Sequence, residues 1–403
     1  MRLSIAIAAF ALVPSAIGPV GLAPASVAMG APAAVAPAEA VAPLDDLTAV
    51  VRQVLLDRNR TLETTTPLMD PQVSVNDRST DEWAFGSAVL PAVAGEGSYP
   101  SGWLFVARHD PAGWTAALEG ERSFADLASQ APILTAEERD VFGVDLTRIE
   151  AAVDWRTGMR LPFAIGQTWR LTGGPHPMNG SIRSSIDLAG GDGKVLAARA
   201  GLAYTMCSSG TGWIRVIHDR GLATDYYHLR GNIKANGTSV KEGTFLGNIG
   251  NDVTCGGSST GPHVHFSLRK NNAYIPIDRY QFGKWVIKQG AGQYEGYALH
   301  GSKRVNVGGG LYNYGALGFR EGIVDTDGGQ NLNRRKGPGT NYAIVSKSPD
   351  GASVIVSCSA RGTSHTGRNG YTTNLWNKLT DGTWVNDAYL WTGTGDPVNG
   401  NCP

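Results

Sequence analysis

The spacing of apolar residues in the first 150 positions predicts a small α+β unit. Between Leu44 and Leu62 apolar residues recur at helical spacing, at Leu47, Val50, Val51, Val54 and Leu55. This pattern is typical of a helix with one buried face. Two mainly apolar runs, Trp83–Leu90 and Gly102–Ala107, predict strands of a small sheet. A further helix is predicted over residues 135–150, where two glutamates follow Thr135 as at a capped N-terminus.

From Trp155 onward the pattern changes to short β-like segments separated by glycine clusters. These clusters are Gly173-Gly174, Gly190-Gly191, Gly256-Gly257 and Gly308-Gly309-Gly310. Such punctuation is typical of turns between strands, so we predict an antiparallel β domain over residues 151–316. Residues 317–403 continue the pattern, with a Gly-Pro-Gly turn and predicted strands at Ala352–Cys358, Asn374–Leu379 and Thr383–Leu390. The chain is therefore predicted to be mainly β, ending in a small β-barrel.

The N-terminus has the pattern of a secretory signal peptide. One positive charge precedes an uncharged run, Leu3–Leu22, and small residues follow at Ser26-Val27-Ala28, as signal cleavage requires. A permanent membrane anchor fits less well because proline and glycine interrupt the run. We predict that residues 1–28 are removed, with cleavage after Ala25 as the alternative, and that the product is secreted. The Ala/Pro tract that follows, residues 29–43, predicts an extended tether.

Charge divides the chain in two, although the total of 35 basic and 35 acidic residues gives no net charge. Residues 1–150 carry 9 Lys and Arg against 19 Asp and Glu, or −10, whereas residues 151–403 carry 26 against 16, or +10. Opposite charges favour association of the two parts. We therefore predict that residues 29–150 are a pro-region, removed by proteolysis, that blocks the cleft or assists folding. The alternatives are an accidental split and a binding domain over residues 83–127 that stays attached.

Composition and cysteine positions restrict the class of protein further. With 42% hydrophobic and 17% charged residues the chain is not a disordered protein, and its glycines have no collagen-like period. A secreted chain meets an oxidising compartment, so two disulfides are expected. Three pairings of the four cysteines are possible, but their division between the two β domains favours Cys207–Cys255 and Cys358–Cys402. A cysteine metal site fits less well because C-x-x-C spacing is absent.

Five of the eight histidines lie in one ninety-residue window that also contains Asp187. They are His176, His218, His228, His263 and His265. A transition-metal site needs two or three imidazoles, with or without a carboxylate, converging on one point. Residues i and i+2 of a strand face the same side. Both imidazoles of His263-Val264-His265 can therefore point into one cleft, where one binds the metal and the other handles protons.

Four separated motifs contain most of these residues. They are Gly174-Pro175-His176, Ser184-Ser185-Ile186-Asp187-Leu188, Asp225-Tyr226-Tyr227-His228-Leu229 and Gly261-Pro262-His263-Val264-His265-Phe266. In this order they resemble the motifs of the lysostaphin-type zinc endopeptidases, and in particular the beta-lytic endopeptidase branch. Members of that family cut peptide cross-links of bacterial cell walls. The resemblance implies a narrow groove suited to small residues such as Gly and Ala.

The resemblance also implies the roles of five residues. His176, Asp187 and His265 would bind one Zn²⁺, leaving its fourth position open for water. His228 and His263 would be the unliganded catalytic pair, one helping to deprotonate the water and the other donating to the oxyanion or leaving amine. Zn²⁺ brings the pKa of such a water to about 7, so imidazoles suffice as acid and base. The chain has no H-E-x-x-H motif.

The remaining candidates are expected to be structural. His218 matches no ligand motif, and His109, His300 and His365 are expected at the surface or in structural contacts. Asp225 could orient an imidazole, but strand alternation predicts that it faces away from His228, so we leave it out of the site. A pro-region residue that blocks the zinc would have to be Asn, Asp, Glu or His, because no cysteine precedes residue 207.

Two stretches of the C-terminal unit carry a second resemblance. They are Leu332–Tyr342 and Asp381–Val385, the latter followed by Ala388-Tyr389-Leu390. They resemble bacterial SH3-like domains found beside cell-wall hydrolases, which implies a module that holds the enzyme on peptidoglycan. Its aromatic residues could offer flat surfaces to a ligand, although most are expected in the core. These residues are Tyr342, Trp376, Trp384 and Trp391.

The sequence therefore predicts a secreted zinc metalloendopeptidase, made as an inactive precursor, that hydrolyses Gly/Ala-rich bonds in peptidoglycan cross-links. Its expected partners are peptidoglycan or Gly-rich peptides and its own pro-region as intramolecular inhibitor. We expect a monomer with no nucleic-acid partner and no membrane anchor. The alternative is a non-catalytic wall-binding or amidase-activating protein of the same fold, which predicts a missing ligand, and none is missing. A serine hydrolase would need a nucleophilic serine near His and Asp, and we do not favour it.

Overall fold

The computed structural model describes residues 43–61, 69–95, 98–143, 154–178, 180–326 and 328–403. The predicted signal peptide and nearly all of the predicted tether lie outside the described residues. Within these ranges no helix is long and apolar enough to cross a membrane. Strands greatly outnumber helices, so the predicted mainly β class is confirmed.

The front of the chain folds into a four-stranded antiparallel sheet with three helices. In chain order the elements are α1 (Pro43–Thr61), β1 (Gln72–Val75), β2 (Trp83–Leu90), β3 (Ser101–Asp110), β4 (Gly113–Leu118), α2 (Arg122–Gln130) and α3 (Ala136–Phe142). The strand order is β1-β2-β3-β4. Helix α1 packs Leu47, Val51 and Leu55 against one side of this sheet, because its apolar residues share one face. The predicted α+β unit, here called the front unit, is confirmed.

The helix predicted over residues 135–150 is shorter within the described residues. Helix α3 begins after Thr135, whose hydroxyl accepts the Glu138 N–H while the Glu138 carboxylate accepts the Thr135 N–H. This capping box fixes its start. The helix ends at Phe142, and residues 144–150 lie outside the described residues.

A nine-stranded antiparallel sheet forms the middle of the molecule. The next elements are β5 (Thr168–His176), β6 (Ser185–Gly190), β7 (Lys194–Leu196), β8 (Gly201–Thr205), β9 (Gly212–Ile217), β10 (Leu222–Leu229), β11 (Asn236–Val240), β12 (Phe245–Asn248), β13 (Val264–Lys270), β14 (Ala273–Tyr274), β15 (Gln281–Phe282), β16 (Trp285–Lys288), β17 (Tyr297–His300), β18 (Lys303–Asn306) and β19 (Gly310–Tyr312). The central sheet has the order β11-β8-β9-β10-β13-β6-β5-β19, and β14 pairs with β13. Strands β7 and β12 form a two-stranded ribbon, and β15 to β18 form a separate four-stranded sheet.

The C-terminal unit is one curled sheet of seven strands. They are β20 (Glu321–Val324), β21 (Leu332–Arg335), β22 (Ile344–Ser348), β23 (Ser353–Thr366), β24 (Thr372–Leu379), β25 (Trp384–Asn386) and β26 (Leu390–Trp391). Their order is β22-β21-β25-β24-β23-β20-β26. The strand predicted over Thr383–Leu390 is interrupted by a 3₁₀ turn at Asp387–Tyr389, which Asn386 caps. This sheet is compatible with an SH3-like domain, and the resemblance itself stays a prediction.

Both expected disulfides are present. Cys207 bonds Cys255, and Cys358 bonds Cys402. No cysteine is free, which removes the alternative of a cysteine metal site. The first disulfide joins the loop after β8 to the loop before β13.

The two faces of the central sheet pack against different partners. One face forms an apolar core within the middle of the chain and includes Ile186, Leu188, Val264 and Phe266. The opposite face packs against the front sheet in a shared cluster. In this cluster Trp83, Phe85, Leu104 and Val106 of the front unit join Leu202, Tyr204, Met206 and Trp213 of the central sheet. The front unit therefore covers one face of the central sheet.

Candidate metal centre

Three neighbouring strands bring three of the predicted site residues to the covered face. His176 ends β5, Asp187 lies in β6 and His265 lies in β13. Across the strand pairs His265 is opposite Asp187, and Asp187 is opposite Gly173. Directly opposite residues of antiparallel strands have their side chains on the same face. A Cβ at Gly173 would lie 2.6 Å from Asp187 Oδ2, so only glycine leaves room for this carboxylate.

The three side chains could hold a metal ion and are here called the metal cluster. They are in direct contact. His176 Nε2 lies 2.9 Å from Asp187 Oδ2, and His265 Nδ1 lies 3.0 Å from Asp187 Oδ1. One possible ligand atom from each residue lies within 4.8 Å of the other two. Both histidines are fully buried, and Asp187 is 8% exposed.

The charges of this cluster fit a bound cation. Burial opposes the ionisation of Asp187, but the contacts with His176 and His265 outweigh it and hold the pKa of Asp187 well below its usual range. Burial lowers the pKa of His265 to about 4. Among the described residues, only histidines lie within ion-pair distance of the Asp187 carboxylate, and no Arg or Lys does. A buried carboxylate needs a compensating charge, and two imidazoles with one carboxylate are a donor set that suits Zn²⁺.

The two predicted catalytic histidines flank the cluster and present the same ring nitrogen to it. His228 Nδ1 lies 2.9 Å from the Asp252 carbonyl, and His263 Nδ1 lies 2.7 Å from the Gly261 carbonyl. Because a carbonyl only accepts, each Nδ1 carries the proton and each neutral ring leaves a lone pair on Nε2. The ring centroids are 4.7 Å apart. Burial lowers the pKa of His228 to about 3.

A β-bulge turns His228 towards the metal cluster. Tyr227 pairs with His265 and belongs to the covered face, so strict alternation would send His228 to the opposite face. Instead the register between β9 and β10 shifts after Tyr226, and His228 has a φ of 66°. Such a φ is unfavourable for a non-glycine residue and is concentrated at functional sites.

This bulge corrects one argument made from the sequence. Asp225 also lies on the covered face, because its carboxylate accepts hydrogen bonds from Trp213, Arg215 and Tyr274. Alternation therefore does not separate it from His228. Leaving Asp225 out of the site is still supported, since it pairs with an arginine and with no histidine.

The four histidines that were expected to be structural make contacts outside the metal cluster. His218 is buried, with Nδ1 2.8 Å from the Ala200 carbonyl and Nε2 2.9 Å from Thr224 Oγ1. His109, His300 and His365 make ring contacts with Trp114, Trp285 and Tyr389, respectively.

Two tyrosines that sequence reasoning missed complete the site. The Tyr99 ring of the front unit is stacked on His265 with centroids 4.5 Å apart. Tyr294 is stacked on His176 at 4.3 Å, and the two tyrosine hydroxyls are 3.1 Å apart. A residue that blocks the site was expected to be a metal ligand, that is Asn, Asp, Glu or His. Tyr99 was missed because it contacts His265 by ring stacking. No local pattern around Tyr99 signals a contact with a histidine of another domain.

The chain that leads to Tyr99 pairs with the loop before β13. The Ala92 N–H donates to the Cys255 carbonyl (3.1 Å), and the Gly257 N–H donates to the Ala92 carbonyl (3.3 Å). The segment at Ala92 and the loop at Gly256 run parallel here. A Cβ at Gly256 would lie 2.0 Å from the Ala92 carbonyl oxygen, so glycine at this position permits the close approach. Ala92 is thus held to this loop by two main-chain hydrogen bonds.

Parts of this chain are similar in sequence to known proteins. The family described as Peptidase family M23 matches residues 181–278. Protease LasA of Pseudomonas aeruginosa is 35% identical over 150 residues, which are 34% of this chain and 35% of LasA. The chain thus spans about a third of the length of that relative. A solved structure of the M23 metalloprotease pseudoalterin, from the deep sea, is 32% identical and covers 38% of this chain and 97% of its own, with a TM-score of 0.35.

The beta-lytic metalloendopeptidase of Lysobacter enzymogenes covers more of its own length. It is 35% identical over 134 residues, which are 30% of this chain and 73% of that protein. The matched family range includes Asp187, His228, His263 and His265, and His176 lies just before it. The chain therefore belongs to peptidase family M23.

Proposed function

We propose that this protein is a secreted, zinc-dependent metalloendopeptidase that hydrolyses Gly/Ala-rich peptide bonds of bacterial peptidoglycan and is made as an inactive precursor. The observation that carries this proposal is the buried carboxylate of Asp187 between two imidazoles, with two further histidines facing it. The proposed regions are a signal peptide over 1–28, a pro-region over 29–150, a peptidase domain over 151–316 and a wall-binding domain over 317–403.

In this proposal His176, Asp187 and His265 hold the zinc ion. When bound, Zn²⁺ supplies a Lewis acid that polarises the scissile carbonyl and makes water a better nucleophile near neutral pH. His228 accepts a proton from the attacking water at Nε2, the atom that its hydrogen bond to Asp252 leaves free of a proton. His263 Nε2 lies 3.5 Å from Asp187 Oδ1, so this ring also faces the site, and in this proposal His263 carries a proton to the leaving amine.

The contacts of the front unit support its role as inhibitor. Tyr99 covers the ring of His265, and Ala92 uses main-chain groups of Cys255 and Gly257 that a substrate strand would need. A peptide cannot occupy this groove while the segment is bound. The described residues between the contacts at Ala92 and Tyr99 are Val93, Ala94, Gly95 and Ser98. They carry small or medium-sized side chains, in keeping with the proposed Gly/Ala preference.

The test uses the full chain with a specific protease site inserted between residues 143 and 154. Cutting at that site and displacing the front unit is expected to start hydrolysis of cell walls and of a Gly/Ala peptide. A chelator should abolish hydrolysis, zinc should restore it, and each chain should contain one zinc ion. His265→Ala should remove both zinc and hydrolysis, whereas His109→Ala, in the front unit, should change neither. Hydrolysis that survives His265→Ala or zinc removal contradicts the proposal.

A further inference from the structure

The front unit places a carboxylate between two arginines of the central sheet. Glu119, which follows β4, is fully buried. Its carboxylate accepts from Arg215 Nη1 at 2.8 Å and from Arg269 Nη1 at 3.1 Å. These arginines lie in β9 and β13 and are also buried; they are called here the arginine pair. Guanidinium groups bind carboxylates with strong, directed hydrogen bonds, so the pair is a binding site for a carboxylate.

Groups of the central sheet hold the arginine pair in place. Arg215 Nε and Nη2 donate to the Asp225 carboxylate at 2.8 and 3.1 Å. Asp225 in turn accepts from Trp213 at 2.8 Å and from Tyr274 at 2.9 Å. Arg269 donates to a main-chain carbonyl in the turn after β13. None of these contacts involves the front unit, so the orientation of both guanidinium groups does not depend on it.

Departure of the front unit would leave the arginine pair with one net positive charge. Among the described residues, two carboxylates lie within ion-pair distance of the pair. Glu119 belongs to the front unit, and Asp225 belongs to the central sheet. When Glu119 leaves, two guanidinium groups face the single carboxylate of Asp225. A positive site with oriented N–H groups attracts an anion.

The arginine pair and the metal cluster lie on the same face of the same strand. His265, Ser267 and Arg269 are alternate residues of β13, and alternate residues of a strand share a face. The front unit contacts both places, with Tyr99 on His265 and Glu119 on Arg269. Four residues of a strand span roughly 13 Å. An extended peptide that lies along β13 from the metal cluster therefore reaches the arginine pair after about four residues.

We propose that, after the front unit has left, the arginine pair binds a carboxylate group of the substrate peptide, about four residues from the scissile bond. The preferred substrate is then a Gly/Ala-rich peptide with an acidic side chain or a free carboxyl end at that distance. In the precursor Glu119 occupies this site. The inference rests on the proposed function, because it requires that the front unit leaves and that a peptide is cut.

The first test compares three peptides as substrates of the zinc-loaded chain, cut between residues 143 and 154 and freed of the front unit. Each peptide has a core of about eight Gly and Ala residues, so that either end lies about four residues from the central bond. The first has Glu at both ends, the second has Gln at both ends, and both are acetylated and amidated. The third has Gln at both ends and a free carboxyl end, which separates a chain end from an acidic side chain.

We expect kcat/KM for at least one of the two peptides with a carboxylate to exceed that of the amidated Gln peptide at least roughly threefold. The difference should shrink in high salt, because salt screens charge. Arg269→Gln should bring the ratio of the two kcat/KM values to about one. Arg304→Gln is the matched control and should keep the parent ratio, since Arg304 is exposed on β18 of the separate four-stranded sheet. A ratio is compared because a general loss of activity cancels in it.

The second test needs no activity and uses the uncut full chain. Glu119→Ala removes the carboxylate and leaves space beside the arginine pair. Acetate should raise the denaturant midpoint of this variant above its value in chloride at the same ionic strength, because a ligand of the folded state stabilises it. Acetamide, which has a similar shape and no charge, should not. In the double variant with Arg269→Gln, acetate should act no better than acetamide.

Equal kcat/KM for all three peptides, or a preference that survives Arg269→Gln, would overturn the proposal and leave the proposed function intact. Acetate that stabilises Glu119→Ala no more than acetamide does would overturn the carboxylate site. A cut chain that hydrolyses neither peptides nor walls would disprove the proposed function. The acetate comparison would then still decide whether the arginine pair binds a carboxylate.

Discussion

Single residues decide whether the metal cluster can form. Gly173 leaves space for the Asp187 carboxylate, and the positive φ of His228 brings a fourth imidazole to the cluster. Neither property is encoded by a periodic pattern. Both depend on the close approach of neighbouring strands.

Gly173→Ala should weaken zinc binding at least roughly tenfold. The added Cβ would lie 2.6 Å from Asp187 Oδ2 and 3.1 Å from Tyr294 Cδ1, so the carboxylate must move away from His176 and His265, and displaced ligands lower metal affinity. Zinc affinity is measured by competition with a chromogenic chelator. Gly261→Ala is the control, because its Cβ meets nothing within 4 Å. Equal affinity for the two variants would show that the carboxylate tolerates the methyl group.

His218 should make the protein sensitive to acid. Burial lowers its pKa to about 4 from the ordinary 6.5, so the unfolded chain takes up the proton first as the pH falls. The free energy of unfolding that depends on neutral His218 is fully present above about pH 6.5. It falls between about pH 6.5 and 4, and the total loss is about 3 kcal/mol at most. Denaturant unfolding of the parent and of His218→Gln across this pH range measures the loss of stability. The variant should show a shallower loss, and parallel pH profiles would refute the assignment.

At the scale of elements, the segment of the front unit that begins at Ala92 and ends at Tyr99 contacts the loop before β13 and the metal cluster. Its first described part is held by main-chain hydrogen bonds to Cys255 and Gly257, and its last residue by ring stacking on His265. The Cys207–Cys255 disulfide and the hydrogen bond from the Tyr227 hydroxyl to the Gly256 carbonyl (2.6 Å) hold the receiving loop in place.

Tyr99→Ala should raise the peptidase activity of the uncut precursor roughly five- to thirtyfold. Loss of one stacked aromatic ring weakens the closed state by an amount of the order of 1 to 2 kcal/mol, and each 1.4 kcal/mol changes the open population tenfold. The rate of Gly/Ala peptide hydrolysis by intact full chain measures the effect. Tyr371→Ala removes a tyrosine that is 40% exposed, far along the chain in the C-terminal unit, and should leave the precursor inactive. An inactive Tyr99→Ala precursor would mean that Tyr99 does not close the site.

At the scale of the whole molecule, a buried charge network joins the front unit to the central sheet. Glu119, which follows β4, is fully buried and accepts from Arg215 at 2.8 Å and from Arg269 at 3.1 Å. Asp225 accepts from Arg215 at 2.8 Å. Burial disfavours charge on Arg215, but Asp225 and Glu119 outweigh it and raise the pKa of Arg215. Two carboxylates thus balance two arginines, and one of these carboxylates comes from the front unit.

Glu119→Gln should lower the free energy of unfolding of the full chain by about 3 kcal/mol, because it leaves buried arginine charge with one partner fewer. Glu82→Gln is the matched control. It removes a carboxylate that lies 3.9 Å from the Arg108 guanidinium and belongs to a side chain that is 64% exposed. Exposed ion pairs of this kind contribute less than about 1 kcal/mol to the free energy of unfolding. Denaturant unfolding of both variants at neutral pH gives the comparison. A similar effect of the two substitutions would mean that the network does not stabilise the union of front unit and central sheet.

The amino-acid sequence by itself determined the local features of this protein. Helical spacing predicted α1, and apolar runs predicted β2 and most of β3, because these patterns follow from local backbone geometry. The strands β1 and β4 of the front sheet were not predicted. The division of the cysteines between two domains predicted both disulfides. The spacing of His263 and His265 predicted that both imidazoles face one cleft, and both lie near Asp187, although β13 begins only at Val264. The motif order indicated the family.

Only the tertiary structure decided the features that depend on distant residues. The stacking of Tyr99 on His265 and the pairing of Glu119 with Arg215 arise where elements far apart in sequence pack together. The bulge at His228 overrode the alternation that the strand pattern implies. Sequence periodicity reports which face of an element is buried, but the identity of the neighbour on that face is set by packing, and at this active site the neighbour is the chain's own front unit.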